Sequence, residues 1–463
     1  MYSILNEPTR EAFVFPSDAH TELRTQCNRS RRVGFASGNP IMNMSSETRG
    51  MSARVVFGGR CGFSSSTETD ESAARRLIDK ATANARFLAS RLPQDKPSLP
   101  RIEDGTLSTV FSPNEATQEK FVEFARVLDS RIAERYPHLL ARQVILIEDS
   151  MEKVLTVSDG FDSHSFIPRS FAYIALTAAD KEGRPVELRH PFGGFGLFAD
   201  RFGDPSALDE DIENMYDRLM KKAEGVHAEA GMKTCILDSS LAGILAHEAV
   251  GHTVESDLVL SGSVALHERG NQVASPLISL TDFAHTAFGQ KAPLPVYVDD
   301  EGVRAVDAPI IEKGILKGYM HNRESALHFG DTPTGNARAY LFSDEPLIRM
   351  RNTAIHPGES KLTDMISSVE DGYYFVSTNN GQADMTGEFM FGVTEGYEIK
   401  NGQLGRALLD TTISGVAFDM LKTVDMVSDD MTWSASGTCG KKQPMPVGMG
   451  GPAIRCRIMV GGR

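Results

Sequence analysis

Residues 233–252 read KTCILDSSLAGILAHEAVGH, and the spacing within their last six positions decides how the second half of the chain is built. The stretch predicts a short strand over 234–237, a turn in which Asp238, Ser239 or Ser240 can cap, and then a helix of small residues. Two histidines that share a metal on a helix normally stand four apart, as in His-Glu-x-x-His. Here His247 and His252 are five apart. In a regular α-helix, residues four apart lie about 40° apart around the axis and residues five apart about 140°, so two such imidazoles would diverge. A π-type turn with i to i+5 hydrogen bonds restores them to one face, and Gly251 is permissive enough for that turn or for a helix end.

Glu248 directly follows the first histidine, the offset from which a carboxylate takes a proton from a water held beside the metal. A zinc site needs a third protein ligand and, if catalytic, an open fourth position. Glu255 and Asp257 are the local candidates; Cys439, flanked by glycines in SGTCGKKQPMPVGMGG, is the distant one. From the residues alone, a metal site and a satisfied core histidine pair both fit. His267-Glu268 begins the same way with no second histidine four or five positions on, a reminder that a His-Glu pair is cheap. His321, His328 and His356 stand singly and read as surface or core residues.

Working outward, SSSTETDES (64–72) looks like a helix start, with Thr67 or Thr69 as cap and Ala74, Leu77, Ile78, Ala81, Ala85 and Leu88 at helical spacing until Pro93. A second helix is expected from Ser112 as cap and Pro113 at the first helical position, with Phe121, Phe124, Ala125, Leu128 and Ile132 forming one stripe up to Pro137. Strands are expected over 144–148, 154–157 and 171–177, the last entering a turn at 181–183, and a third helix over 209–224. Beyond Gly225 the texture becomes short strands around the histidine helix. Lys313-Gly314 and Asn401-Gly402 suit two-residue hairpin turns. The expected fold is therefore α+β: an N-terminal α/β domain, 1–225, then a β-rich C-terminal domain, 226–463, carrying the histidine helix.

The 463 residues exceed what one core usually serves, and 41% hydrophobic with 24% charged residues is an ordinary globular balance. Lys and Arg total 48 against 62 Asp and Glu, a formal charge of −14, which opposes binding to nucleic acid or anionic membranes. Five cysteines, with no Cys-x-x-Cys, favour a reducing compartment over a disulfide framework. No signal-like N-terminus or membrane-spanning apolar run is present, so a cytoplasmic protein is expected. No Walker loop, nucleotide fingerprint or Gly-x-Ser-x-Gly elbow supports phosphoryl transfer or serine hydrolysis.

The segments LAGILAHEAVGH, QVASPLISL, DDEGVRA, IIEKGILKGYMHNR, PTGNARAY, IRMRNTAI, NNGQADMTGEFMF and GTCGKKQPMPVGMGGPAIR run in order from about 232 onward. Together they resemble the TldD/PmbA peptidases, in particular the TldD branch with its HExxxH variant. GMSARVVFGGRCGFSSSTETDESAARRLIDKATANAR resembles that family's N-terminal domain, whereas the first thirty residues match poorly. The resemblance implies that His247, His252 and Cys439 hold zinc and that Glu248 is the general base. It also implies a peptide substrate, linear or unfolded, in precursor maturation or degradation, and a dimer formed with an inactive family paralogue or with a second copy. Ala337, Ala339 and Thr253 depart from the family's usual residues and bear on substrate preference.

The implied activity is that of a zinc metallopeptidase, with Glu248 taking the proton of a zinc-activated water and returning it to the leaving amine. Glu255 is a candidate to orient a ligand imidazole, although an exposed helix-surface glutamate is the plainer reading. Lys441 and Lys442 are read as a solvated turn or as an attractor for a peptide carboxylate, and Trp433 as packing near the C-terminal strands. The alternative class is a non-catalytic peptide- or protein-binding regulatory subunit of the same family; the intact Glu248 argues against it.

Overall fold

The computed structural model describes residue 10 and residues 13–92, 98–110 and 114–461. The first half is built on long antiparallel strands: β1 (His20–Ala36), β2 (Asn39–Phe57), β3 (Arg60–Ser66), β5 (Ala141–Val157), β6 (Phe161–Ala179) and β7 (Pro185–Phe195). Short β4 (Gly105–Thr109) joins them in the order β3-β2-β1-β5-β6-β4, parallel to β6, while β7 pairs with the second half of β6. The segments expected as separate strands at 144–148 and 154–157 are one strand, because the polar stretch between them is paired within the sheet. Glu148 meets Arg31, its register partner on β1, and buried Glu152 accepts from His164 Nε2 at 2.8 Å.

Helix α1 (Glu71–Arg91) lays Ala74, Leu77, Ile78, Ala81 and Ala85 on Leu23, Met51, Ala53 and Val55 of the sheet. Its cap is Asp70, which accepts from Ala73 N at 2.8 Å, and not Thr67 or Thr69. Leu88 is exposed, the buried stripe ending at Ala89. Helix α2 (Gln118–Arg135) starts after Thr117, whose side chain caps it, and Phe121, Phe124, Ala125, Leu128 and Ile132 are buried as expected. Ser112 and Pro113 lie outside the described residues. With helix Asp209–Ala223, α2 covers one face of the sheet through a core that includes Ile174, Leu176, Ile212, Met215 and Leu219.

In the second half, five strands close on themselves: Gly231–Leu237, Ile454–Gly461, Thr411–Val416, Glu388–Lys400 and Asp371–Ala383, the last pairing back to the first. A separate six-stranded sheet runs Ile315–Leu316, Ala308–Glu312, Leu280–Phe283, Asn352–Ile355, Met445–Gly451, Thr432–Cys439. Both anticipated hairpins form, with φ of 47° and 83° at Lys313 and Gly314 and 50° and 74° at Asn401 and Gly402, as a primed turn requires. The chain is mixed α+β. We propose the division into 1–225 and 226–463 just after helix Asp209–Ala223; buried ion pairs cross it, with Arg54 on Glu301 at 2.9 Å and Lys153 on Asp300 at 2.6 Å.

The histidine helix lies between the closed strands and the six-stranded sheet. Leu241, Ala242, Leu245, Ala246, Ala249 and Val250 are all fully buried, in one core with Phe375, Phe391, Ile413 and Val447. The apolar faces of this helix are buried, while Ser240, Ile244, Glu248 and His252, four residues apart, form the one face that reaches solvent. Gly243 is where it meets the sheet: a Cβ there would stand 3.0 Å from the backbone nitrogen of Gly450, so a larger residue would push helix and strand apart.

Candidate metal centre

Strand Gly231–Leu237 hands over to the helix at Asp238, whose side chain accepts from Ser240 N at 3.4 Å. Ser239–Leu245 is α-helical, Ala246–Gly251 widens into one π turn, and His252–Val254 tightens into a 3-10 turn. The π turn brings together residues five apart, and the rings of His247 and His252 lie 5.3 Å apart, centroid to centroid, with planes at 79°. Gly251 has ordinary helical angles, φ −54° and ψ −47°, so backbone freedom is not its contribution. A Cβ there would lie 2.1 Å from Met350 Sδ, and the missing side chain is what lets segment 348–352 pack against the turn.

Cys439 arrives from the other end of the domain, as the last residue of edge strand Thr432–Cys439. Its Sγ is 3.3 Å from His252 Nε2, and one ligand atom each from His247, His252 and Cys439 all lie within 4.8 Å of one another. Glu248 Oε2 is 3.7 Å from His252 Nε2, on the same side of the helix. Of the local alternatives for a third ligand, Glu255 is engaged with the far ring nitrogen, accepting from His252 Nδ1 at 2.8 Å. Asp257 is held by Lys441 Nζ at 2.7 Å.

Glu255 is fully buried, against the expectation of an exposed glutamate, and Lys441 stands 3.3 Å from the same oxygen that meets His252. Lys441 is therefore neither a solvated turn residue nor free to meet a substrate carboxylate. Arg349 had no role assigned from sequence, yet its guanidinium donates to the carbonyls of Cys439 (2.6 Å), Lys441 (2.9 Å) and Gln443 (2.7 Å). The available signal was the pair of arginines at alternate positions in IRMRNTAI, which in an apolar setting implies two buried cations with fixed partners.

The electrostatics match a cation site. His247 is 1% exposed, and neither of its ring nitrogens has a hydrogen-bond partner among the described residues. Buried polar atoms left unpaired are costly and uncommon, and a metal would satisfy one of these. Burial alone would raise the Cys439 thiol, but the imidazoles of His247 and His252, both close to its sulfur, outweigh burial and bring it down to about 3. For His252, burial lowers the pKa, and the Cys439 thiolate and Glu255 more than offset this, lifting it to about 10. The other cysteines move the opposite way: burial pushes Cys27 and Cys61 up to about 11 and Cys456 to about 12, and raises Cys235. Two imidazoles and a thiolate are a donor set that zinc accepts.

His321, His356 and Trp433 have structural surroundings. His321 packs beside Tyr319 and Phe329, His356 against Phe283, and Trp433 edge-on to Phe283 at 6.1 Å. No helix among the described residues is long and apolar enough to cross a membrane.

A family profile described as the PmbA/TldA metallopeptidase C-terminal domain matches residues 230–462, and domain 1 of the same family matches residues 22–85. The chain belongs to the PmbA/TldD metallopeptidase family. A metalloprotease of Methanocaldococcus jannaschii is 30% identical over 94% of this chain and 95% of its own length. A protein of Saccharolobus solfataricus named zinc metalloprotease TldD homolog is 29% identical over 89% of this chain and 90% of its own. In three dimensions the chain is similar to TldE from Thermococcus kodakarensis, with a TM-score of 0.74 and 18% identity over 96% of this chain and 97% of that one. The relatives' names imply a metal, and the His247, His252 and Cys439 cluster is where this PmbA/TldD chain could hold it.

Proposed function

We propose that this chain is a zinc-dependent peptidase that hydrolyses linear or unfolded peptides, in precursor maturation or degradation. The observation that carries the reading is the meeting of His247, His252 and Cys439, from opposite ends of the domain, with the Glu248 carboxylate beside them. His247, His252 and Cys439 would hold the ion. Zinc bound there would supply the acidity that activates a water and the charge that polarises a peptide carbonyl. Glu248 is the general base: its carboxylate accepts the water's proton and delivers it to the departing amine. Glu255 fixes the His252 ring by receiving Nδ1–H, so that Nε2 is the nitrogen facing Cys439.

The test is metal content by plasma mass spectrometry on protein purified without chelator, with peptide hydrolysis followed in parallel. About one zinc per chain in wild type, sharply reduced in Cys439→Ala, together with zinc-loaded but inactive Glu248→Gln, is the expected result. Folded wild type that takes up no zinc when offered it overturns the reading. We further propose a cytoplasmic dimer, formed with an inactive paralogue or a second copy, a reading supported by the likeness to the TldE structure from Thermococcus kodakarensis and by five unpaired cysteines. Light scattering on the purified chain, alone and with a co-expressed paralogue, checks it; a monomer under both conditions removes it.

A further inference from the structure

Beside the metal centre lies a chain of charges, His252, Glu255, Lys441 and Asp257, that runs from the half-buried imidazole through the fully buried Glu255 to the partly exposed Asp257. Glu255 has no exposed surface, and a single oxygen, Oε2, meets both His252 Nδ1 at 2.8 Å and Lys441 Nζ at 3.3 Å. Lys441 also donates to Asp257 Oδ1 at 2.7 Å and to the carbonyl of Ile348 at 3.0 Å. An ammonium has three protons, and three partners surround this one. Lys441 sits two residues beyond Cys439, on a turn that Arg349 clamps through the carbonyls of Cys439, Lys441 and Gln443.

Two parts of the ligand set, 187 residues apart, are therefore joined before any ion arrives. On one side the Glu255 carboxylate receives Nδ1–H and leaves Nε2 of His252 facing Cys439 Sγ. On the other, the turn that carries Cys439 reaches back with Lys441 and grips that carboxylate. A buried carboxylate without a cationic neighbour would rotate away or be lost from this role, because its charge is costly to hold in an apolar core. The imidazole would then be free to turn.

We infer that Lys441 is a positioning residue for the metal centre, acting through Glu255 on the His252 ring and tying the Cys439 turn to the histidine segment. The inference rests on the zinc reading above and adds to it a cause for the ligands' preorganisation. Lys441 is not one of the three proposed ligands. Asp257, its second carboxylate, anchors the lysine from the other side and contributes less, since Glu255 alone contacts a ligand.

The test is the rate at which zinc passes from the loaded full-length protein to a chromogenic chelator, measured for wild type, Lys441→Met, Lys441→Arg, Glu255→Gln, Asp257→Asn and the double variant Lys441→Met/Glu255→Gln. Wild-type zinc stoichiometry is determined first, so failure of the metal reading is seen separately from failure of this one. Lys441→Met and Glu255→Gln are each expected to speed release by about 10- to 100-fold, the range found when partners of metal ligands are removed. The double variant should be no faster than the faster single, because both act along one path. Lys441→Arg should restore most of the wild-type rate, and Asp257→Asn should stay within about twofold of it. Melting of the metal-free proteins reports folding independently of zinc. Release from Lys441→Met at the wild-type rate overturns the inference. So do additive effects in the double variant, and so does an Asp257→Asn effect as large as that of Lys441→Met, which would make the lysine a tether for the turn alone.

Discussion

Segment 348–352 serves two buried polar centres that differ in one respect. Arg349 points to the Cys439 turn and Met350 packs on Gly251, beside the proposed metal ligands; Arg351 points the other way, to Asp282. Around Arg351 every polar group is used. Its Nε meets Asp282 Oδ2 at 2.8 Å, Nη1 the carbonyl of Thr334 at 2.8 Å, and Nη2 the carbonyls of Asp282 at 2.9 Å and Val306 at 2.8 Å. Asp282 also accepts from Arg351 N, Thr353 Oγ1 and Asn336 Nδ2. Beside Gly251, by contrast, His247 is just as buried and neither nitrogen is bonded. The contrast is the one the proposed metal site calls for: a structural network closed upon itself, beside a centre where an ion would supply the missing partner.

The contrast breaks first at catalysis. Glu248→Gln should lose roughly 10²- to 10⁴-fold in peptide hydrolysis while keeping its zinc, as judged by initial rates beside metal analysis, because removal of the base leaves the three ligands in place. An active, metal-loaded Glu248→Gln would mean the carboxylate is not the base. The next largest effect belongs to the closed network. Asp282→Asn strands a fully buried guanidinium and should cost about 3–5 kcal/mol in denaturant unfolding. His247→Leu removes an unpaired polar ring from the core and should leave the metal-free protein within about 1 kcal/mol of wild type. If both variants destabilise the metal-free chain alike, the two centres are not different in kind.

Chelation sharpens the same distinction. An ion present at about 100 times its dissociation constant stabilises the folded state by about 2.7 kcal/mol, so stripping it should lower the wild-type melting temperature by a few degrees. His247→Leu should show no such shift in calorimetry. The smallest effect concerns His321, a buried histidine outside both centres. Burial depresses its pKa to about 4 despite the nearby Asp331 carboxylate, which pulls it upward; Arg269, paired with Asp331, acts downward. A depressed histidine favours folding above its unfolded value near 6.5, and that contribution is lost as pH falls from there toward 4. At pH 5.5 the loss should reach roughly 1 kcal/mol in wild type and be absent from His321→Gln, measured as the difference between their unfolding free energies at pH 7.5 and 5.5. Parallel pH profiles for the two proteins would show that His321 titrates as it does in the unfolded chain.

Local chemistry was legible in the chain itself. Lys313-Gly314 and Asn401-Gly402 dictate their hairpins because few residue pairs accept two successive positive φ angles. The apolar stripes of α1 and α2 mark their buried faces, and the five-residue spacing of His247 and His252 admitted the π turn that forms, beside a helix end. Where polar residues interrupt a pattern, that legibility fails: β5 reads as two strands, since only its neighbours reveal that Arg31 and His164 accommodate Glu148 and Glu152. The same holds at the site. Glu255 looks like a surface residue until Lys441 is placed over it, and Gly251 looks like a source of backbone freedom until Met350 is packed against it. Spacing along the chain determined that two histidines could face one ion. Only the folding of a distant edge strand onto the helix brings Cys439 up to them, because backbone geometry links near neighbours, whereas contacts 187 residues apart are chosen by burial and packing of the whole domain.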